Sequence, residues 1–176
     1  KKEDINHFKV YQDAVVSYNE LNNFCNSYHQ KETALNLQNI TYFELINRAK
    51  NILSEEIRSN KVFFTSSIST KNSIETDATR FIQCLVNVFK NAIENQVVMK
   101  RKWIEVLLVN DTLIIRNNGC LPSGVSSEDI FQKGMSVKDG TGEGLYFVKR
   151  ELNKLGFDIS IVIDDGVSYY LKKKQI

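Results

Sequence analysis

The sequence contains almost no proline, and its glycines are confined to one part of the chain. Pro122 is the only proline, and all eight glycines lie from Gly119 onward. Glycine supplies the backbone freedom that tight turns and irregular loops require. We therefore predict long helices with few sharp turns before Gly119, and glycine-dependent loops after it.

Cysteine and surplus charge are also scarce. Cys25, Cys84 and Cys120 stand far apart without a CxxC pair, so the sequence predicts neither a zinc site nor a disulfide framework. A scattered, odd number of cysteines is typical of a reducing compartment. The net charge of +2 lacks the strongly basic balance of a dedicated nucleic-acid-binding protein, so we expect no nucleic-acid partner.

Long apolar runs are missing as well. No run approaches the roughly 20 residues that a transmembrane helix needs. The chain shows no signal peptide and begins with Lys1 instead of Met. We therefore expect a cytoplasmic fragment, and the sequence leaves open whether its parent protein is membrane-anchored.

The first part of the chain predicts one long helix. Residues 4–32 carry apolar side chains at spacings of three and four residues. Such a helix must bury its apolar stripe, and two alternatives remain open. It packs on its own domain, or it forms a coiled-coil or bundle seam with a partner chain.

The remaining residues alternate between helical and strand patterns. The predicted elements are a helix from Thr41 to about Asn60, a strand over residues 62–69, a helix from Thr76 or Asp77, a hairpin of residues 103–109 and 112–116, a helix from Gly142 or Gly144, and a hairpin of residues 159–163 and 167–171. Thr41 and Glu44 have the spacing of a capping box. Apolar stripes run along the helix that starts at Thr41 and the helix that starts at Thr76 or Asp77, and we expect them to face the core. Their residues are Phe43, Ile46, Ala49, Leu53 and Ile57 on the former, and Phe81, Leu85, Val86, Phe89, Ile93 and Val97 on the latter.

This order predicts an α+β fold. Hairpins give antiparallel pairs, and helices that cluster together can cover only one face of a sheet. We expect a two-layer α/β sandwich, with a mostly antiparallel sheet covered on one face by helices and preceded by the long N-terminal helix.

Three asparagines recur at a helical spacing. Asn87, Asn91 and Asn95 are four residues apart and form one stripe, with Glu94 at its border. Asparagine is a poor helix former, so the stripe is either a solvated face or a site that holds a metal and its anionic ligand. An amide oxygen is a hard, neutral donor that suits Mg²⁺.

Two glycine-containing segments follow. RNNGCLPSG, from Arg116, is either an ordinary exit from a strand or the wall of a site for a flat ligand. KDGTGEGLYFVK, from Lys138, combines glycines, lysines and a helix start. Backbone N–H groups at a helix N-terminus bind phosphate well, so this segment is a candidate phosphate loop.

Together these motifs resemble a known family. From about Thr41 to Lys173 the sequence is similar to the catalytic and ATP-binding domain of sensor histidine kinases, a branch of the GHKL (Bergerat) ATPases. The motifs that match its N, G1, F and G2 boxes, in order, are Asn87-xxx-Asn91, Asn117-Asn118-Gly119, Phe131-xx-Gly134-x-Ser136-x-Lys138 and Gly140-x-Gly142-x-Gly144-Leu145. The family fold is an α/β sandwich.

The resemblance implies roles by position. Asn91 would ligate a Mg²⁺ that bridges the ATP phosphates, and Asn87 would support that site. Asn117 would recognise adenine, with Gly119 letting the base approach, and residues 123–142 would form a lid. The implied ATP-binding set is Asn87, Asn91, Glu94, Asn95, Asn117, Gly119, Phe131, Gly134, Ser136, Lys138, Gly140, Thr141, Gly142, Gly144 and Leu145.

Asn117 and Glu143 depart from the family pattern, and Leu121-Pro122 stands where the G1 box usually has its second glycine. Asn117 stands where the family usually has Asp, so we expect weaker ATP binding, because charge-assisted hydrogen bonds are roughly twice as strong. Glu143 replaces an aliphatic residue, and we expect it on the first helical turn, where it favours the helix dipole. Asn87 occupies the position of the general base in hydrolytic relatives, so we expect ATP to be bound for transfer and not for hydrolysis.

The phosphoacceptor histidine is not evident. His7 and His29 lack the H-[ED]-x-x-x-P pattern. We interpret residues 1–36 as part of a dimerisation hairpin, its second helix, with the acceptor on a preceding helix, and residues 37–176 as the catalytic domain. His7 as an unorthodox acceptor remains an alternative.

The implied protein is a histidine kinase that uses ATP and Mg²⁺, has a response regulator protein as its partner and forms a homodimer through the N-terminal helix. A pseudokinase or nucleotide-gated interaction module, and an anti-sigma-like serine kinase, remain alternatives.

Overall fold

The computed structural model describes residues 34–96, 98–121, 126–127, 129–132 and 144–174. The chain divides into two compact units, Lys1–Leu35 and Asn36–Ile176. The predicted helix over residues 4–32, together with His7 and His29, lies outside the described residues. The elements of the fold belong to the second unit.

In its described part this unit contains seven strands, four α-helices and one 3₁₀ turn. The strands are β1 (Leu37–Thr41), β2 (Val62–Ser66), β3 (Ser73–Asp77), β4 (Lys102–Val109), β5 (Thr112–Asn117), β6 (Phe157–Asp164) and β7 (Gly166–Lys173). The helices are α1 (Tyr42–Ile52), α2 (Ser54–Ser59), α3 (Ala78–Glu94) and α4 (Gly144–Lys154), and the 3₁₀ turn is Asp129–Phe131.

Five strands form one mixed sheet in the order β2-β4-β5-β7-β6. Only the β2–β4 pair in this sheet is parallel. Strands β1 and β3 form a separate antiparallel pair. The α+β sandwich with a mostly antiparallel sheet is therefore confirmed.

The helices cover one face of the five-stranded sheet. Along β4, β5 and β7, fully buried side chains alternate with more exposed ones, which is the pattern of a sheet with one covered face. Helix α3 packs across this face through edge-to-face aromatic pairs. The Phe89 ring lies 5.1 Å from that of Phe64 on β2, and the Phe81 ring lies 5.2 Å from that of Phe157 on β6.

Both predicted hairpins are present. Strands β4 and β5 meet at Asn110 and Asp111, whose φ angles are +47° and +58°. Two positive φ values define the type I′ turn, which matches the twist of the flanking strands, and Asn and Asp tolerate this conformation. Strands β6 and β7 turn at Asp165, with Asp164 paired to Gly166.

The helix starts follow the predicted caps. The Thr41 hydroxyl oxygen accepts from the Glu44 backbone N–H at 3.1 Å, and Asp77 caps α3 in the same way through Arg80 N–H. The Glu44 carboxylate pairs with Arg48, one turn on. The hydrogen bond from Glu44 N–H to the Thr41 hydroxyl is therefore confirmed. The reciprocal bond of a capping box, from Thr41 N–H to the Glu44 carboxylate, is not formed among the described residues.

Several expectations were wrong. The helix predicted from Thr41 to Asn60 breaks at Leu53 into α1 and α2, and β2 ends at Ser66 instead of residue 69. Phe43 is 42% exposed, and Val86 is only half-buried because Cys84 and Val88 face the core. Strands β1 and β3 were not predicted. The side chain of Val97 lies outside the described residues.

In the part of the chain that the structure describes, no helix has both the length and the apolar character needed to cross a membrane.

Candidate functional site

Asn87 and Asn91 present their side-chain oxygens from one face of α3. The Asn87 amide nitrogen donates to the Gln83 carbonyl at 2.9 Å, and that of Asn91 donates to the Asn87 carbonyl at 2.7 Å. Both side chains are half-buried. Neither side-chain oxygen accepts a hydrogen bond from the described residues. Because the nitrogens are held by the helix, the two oxygens are the atoms left for a ligand.

The first residue of α4 lies against these asparagines. A Cβ atom added to Gly144 would stand 3.4 Å from Asn87 Oδ1 and 3.9 Å from Asn91 Nδ2. The next residue, Leu145, is buried and anchors this end of α4 in the core. The N-terminus of α4, where backbone N–H groups have no partner within the helix, is therefore brought to the Asn87 and Asn91 side chains.

Asn95, the third member of the predicted stripe, is turned onto the sheet. Its amide nitrogen donates to the Tyr169 hydroxyl on β7 at 3.2 Å. Tyr169 is fully buried, which raises the pKa of its hydroxyl, and the hydrogen bond from Asn95 opposes part of that shift. Glu94 is exposed beside it. Asn95 therefore has a structural contact that Asn87 and Asn91 lack.

Asn117, at the end of β5, uses both the oxygen and the nitrogen of its side-chain amide in hydrogen bonds to the protein backbone. Its side-chain oxygen accepts from Gly119 N–H at 2.9 Å, and its nitrogen donates to the Val167 carbonyl at 3.0 Å. The residue is 1% exposed. An amide satisfies both a donor and an acceptor here, whereas a carboxylate can only accept.

The backbone at position 119 lies so close to another backbone segment that only glycine fits there. A Cβ at this position would lie 2.5 Å from the Asn95 carbonyl oxygen, closer than real Cβ atoms approach. The neighbouring Cys120 N–H donates to the same carbonyl at 3.2 Å. The close approach that Gly119 permits in this structure is thus that of the C-terminal end of α3.

Phe131 is buried beside α4. The Lys149 ammonium lies 5.3 Å from the centre of the Phe131 ring, a cation–π contact. Six predicted site residues lie outside the described residues: Gly134, Ser136, Lys138, Gly140, Thr141 and Gly142. Glu143, whose placement on the first turn of α4 was predicted, also lies outside them.

Sequence reasoning missed an ionic cluster between α3 and α4, which surrounds the buried carboxylate of Glu151. Arg80 Nη1 lies 3.1 Å from Glu151 Oε2, and Glu151 is 4% exposed. Burial opposes ionisation of Glu151, but hydrogen bonds from Lys154 and Arg150 outweigh it and lower its pKa. The signal was available, because Glu151 interrupts the apolar face formed by Leu145, Val148 and Leu152.

Similarity to known proteins appears in structure and not in sequence. No protein-family model matches the sequence, and no curated protein matches it. Among solved structures, the nucleotide-free catalytic domain of histidine kinase ThkA matches with a TM-score of 0.63 and 24% sequence identity, over 77% of this chain and 93% of that one.

The chain has the fold of a histidine kinase catalytic domain. Full-length ShkA in complex with AMPPNP matches with a TM-score of 0.64 and 17% identity, over 80% of this chain and 31% of that one. ThkA in complex with the response regulator TrrA matches with a TM-score of 0.66 and 21% identity, over 92% of this chain and 48% of that one.

Proposed function

We propose that residues 37–176 are the ATP-binding domain of a sensor histidine kinase, which transfers the γ-phosphoryl group of ATP to a histidine on a dimerisation helix. The observation that carries this proposal is the convergence of the Asn87 and Asn91 side chains with the start of α4. A Cβ added to Gly144 there would stand 3.4 Å from Asn87 Oδ1. The histidine kinase fold and the AMPPNP bound to ShkA support it.

The residues at this site fit a magnesium ion. Asn91, with Asn87 beside it, offers neutral oxygen ligands, and Mg²⁺ commonly takes few protein ligands and shares the rest with phosphates and water. When bound, the ion would neutralise charge on the phosphates of ATP. The helix hydrogen bonds of both asparagine nitrogens fix the direction in which the oxygens point.

The N-terminus of α4 supplies the complementary half of the site. Its backbone N–H groups and the positive end of its dipole favour the anionic phosphates. In the proposed transfer, the bond between the γ-phosphorus and its bridging oxygen breaks, ADP leaves, and a nitrogen of the acceptor histidine forms the new bond. Asn87 cannot take a proton from water, so transfer is favoured over hydrolysis.

The wider setting is also part of the proposal. ThkA occurs in complex with a response regulator, and we propose a response regulator as the final phosphoryl acceptor here. We further propose that residues 1–36 contribute to a homodimer and that the domain works in the cytoplasm.

The metal site is tested with two variants from the same stripe. Asn91→Ala should abolish the Mg²⁺ dependence of ATP binding in calorimetry, at an almost unchanged melting temperature. Asn95→Ala is the matched control, because it removes a contact to the buried Tyr169. It should lower the melting temperature and leave the Mg²⁺ dependence intact. Equal effects of both variants on Mg²⁺-dependent binding would refute the assignment.

One observation favours a second candidate, a pseudokinase or nucleotide-gated interaction module of the same fold, which transfers no phosphoryl group. Asn117 uses its amide for Gly119 and Val167 and is 1% exposed, so little of it remains to recognise a base. Incubation with Mg²⁺, γ-labelled ATP and a protein carrying an acceptor helix separates the two. An acid-labile, base-stable label on that protein supports the kinase, whereas binding without labelling supports the module.

A further inference from the structure

We propose that the ion pair between the partly buried Arg80 and the buried Glu151 sets the register of α4 along α3 and thereby positions the start of α4 at Asn87 and Asn91. This inference rests on the proposed function for its effect on nucleotide, but its structural part stands on the contacts between the two helices. Both residues act through the position of α4 and need not touch nucleotide.

The two contacts lie one heptad apart on each helix. Arg80 precedes Asn87 by seven residues, and Gly144 precedes Glu151 by seven. Arg80 contacts Glu151 at 3.1 Å, while Gly144 approaches Asn87. The helices therefore run antiparallel, with two contact points separated by about 10.5 Å along each axis.

The surface between these points is apolar. Cys84 on α3 and Leu145 and Val148 on α4 lie between the contact points and are buried, as are Val88 and Leu152 one residue beyond them. Apolar contacts are non-directional and tolerate exchange of partners. A shift of α4 by one turn, about 5.4 Å, would preserve much apolar burial and carry Gly144 away from Asn87.

The ion pair opposes such a shift. Arg80 also forms an ion pair at the start of its own helix, where its Nε lies 3.5 Å from Asp77 Oδ2. Glu151 Oε2 faces Arg80, and its other oxygen faces Arg150 and Lys154 on α4. Removing one partner of such a pair leaves a desolvated charge uncompensated, and fixing register is the best-attested role of buried polar groups.

The chain offers variants that separate position from stability. Glu151→Gln removes the charge with little change in shape. The double variant Arg80→Met/Glu151→Leu replaces the pair by apolar side chains, which is often neutral or stabilising. Arg150→Gln and Lys154→Gln are matched controls, since each removes a cation near the same carboxylate without touching α3.

Two measurements on the full chain test the inference. The first is the Gly144 amide resonance in the nucleotide-free protein, which should move or broaden in both test variants and stay in place in the controls. The second is the Kd for Mg²⁺–ATP, which should rise roughly tenfold in the double variant at an unchanged urea midpoint. If the double variant does not fold, Glu151→Gln decides by the same two measurements.

The outcomes are distinct. An unmoved Gly144 resonance with an unchanged Kd in the folded test variants overturns the inference. If the Gly144 resonance moves but the Kd equals that of the controls, the ion pair sets the register of α4 without affecting nucleotide binding, and that part of the inference is overturned. If the parent chain binds no Mg²⁺–ATP, the proposed function fails, and the Gly144 resonance still decides whether the ion pair sets the register.

Discussion

Asn117→Asp should destabilise the protein, although the resemblance to histidine kinases makes Asp the expected residue at this position. The Asn117 nitrogen donates to the Val167 carbonyl at 3.0 Å, and its oxygen accepts from Gly119 N–H at 2.9 Å. A carboxylate keeps the second bond and places an anionic oxygen against the Val167 carbonyl. The position is 1% exposed, so water cannot relieve the contact.

The size of the destabilisation follows from the loss of the Asn117 amide N–H as a hydrogen-bond donor. Leaving a buried acceptor without its partner costs about 1–3 kcal/mol, and burying an uncompensated charge adds to it. We expect a loss of about 2 kcal/mol in the free energy of unfolding at neutral pH, or roughly 6 °C in Tm for a domain of this size. Urea denaturation followed by circular dichroism measures it.

The loss should depend on pH in a defined direction. Burial and the Val167 carbonyl raise the pKa of the introduced carboxyl above its unfolded value of about 3.9. The protonated form can donate to Val167, so its stabilising contribution is present at low pH and is lost as the pH rises through the folded pKa. The difference from the parent should shrink on acidification.

Asn118→Asp provides the matched control. Asn118 also donates to a backbone carbonyl, that of Arg101 at 2.7 Å, but that bond is exposed and water can replace it. The control should lose less than half as much stability. Asn117→Asp with parental stability at pH 7, or with a larger loss at low pH, would refute the reasoning.

Two further predictions concern neighbouring contacts. Gly119→Ala should cost about 1–3 kcal/mol of unfolding free energy in urea melts, because its Cβ would stand 2.5 Å from the Asn95 carbonyl; parental stability would contradict the contact. Glu151 has a pKa below its ordinary value of 4.5, so its stabilising contribution exists above that pH and is lost as the pH falls through the folded pKa. The stability difference between parent and Glu151→Gln should therefore narrow in acid denaturation series, and a constant difference would count against it.

Local patterns predicted the elements that depend on nearby residues. Helix α3 carries its own cap at Asp77 and its own apolar stripe, and the β4–β5 turn needs only two residues that tolerate positive φ. Strand β1 has no such signal, since Ile40 is its single buried residue. It exists because it pairs with β3, and that pairing joins distant segments, as in Ile40 with Ile74. The strand propensity of single residues is a weak predictor where pairing with a distant strand determines whether a strand forms.

The site was predicted in its residue types and less well in their contacts. Helical periodicity treats Asn87, Asn91 and Asn95 alike, because each lies one turn from the next. Their difference comes from Tyr169, 74 residues beyond Asn95, whose buried hydroxyl takes the third amide. A stripe inferred from sequence gives candidates for a ligand, and the packing of the sheet decides which of them the protein uses itself.

Asn117 shows the same limit for a motif. From sequence, replacing the usual Asp by Asn changes only how strongly the side chain accepts from adenine. In the fold, the partner that distinguishes the two side chains is the Val167 backbone carbonyl, 50 residues away. Backbone groups carry no sequence signal, so no comparison of motifs contains this contact. The amide is thus explained by the strand beside it, and restoring the usual residue is expected to weaken the fold before it can strengthen a nucleotide site.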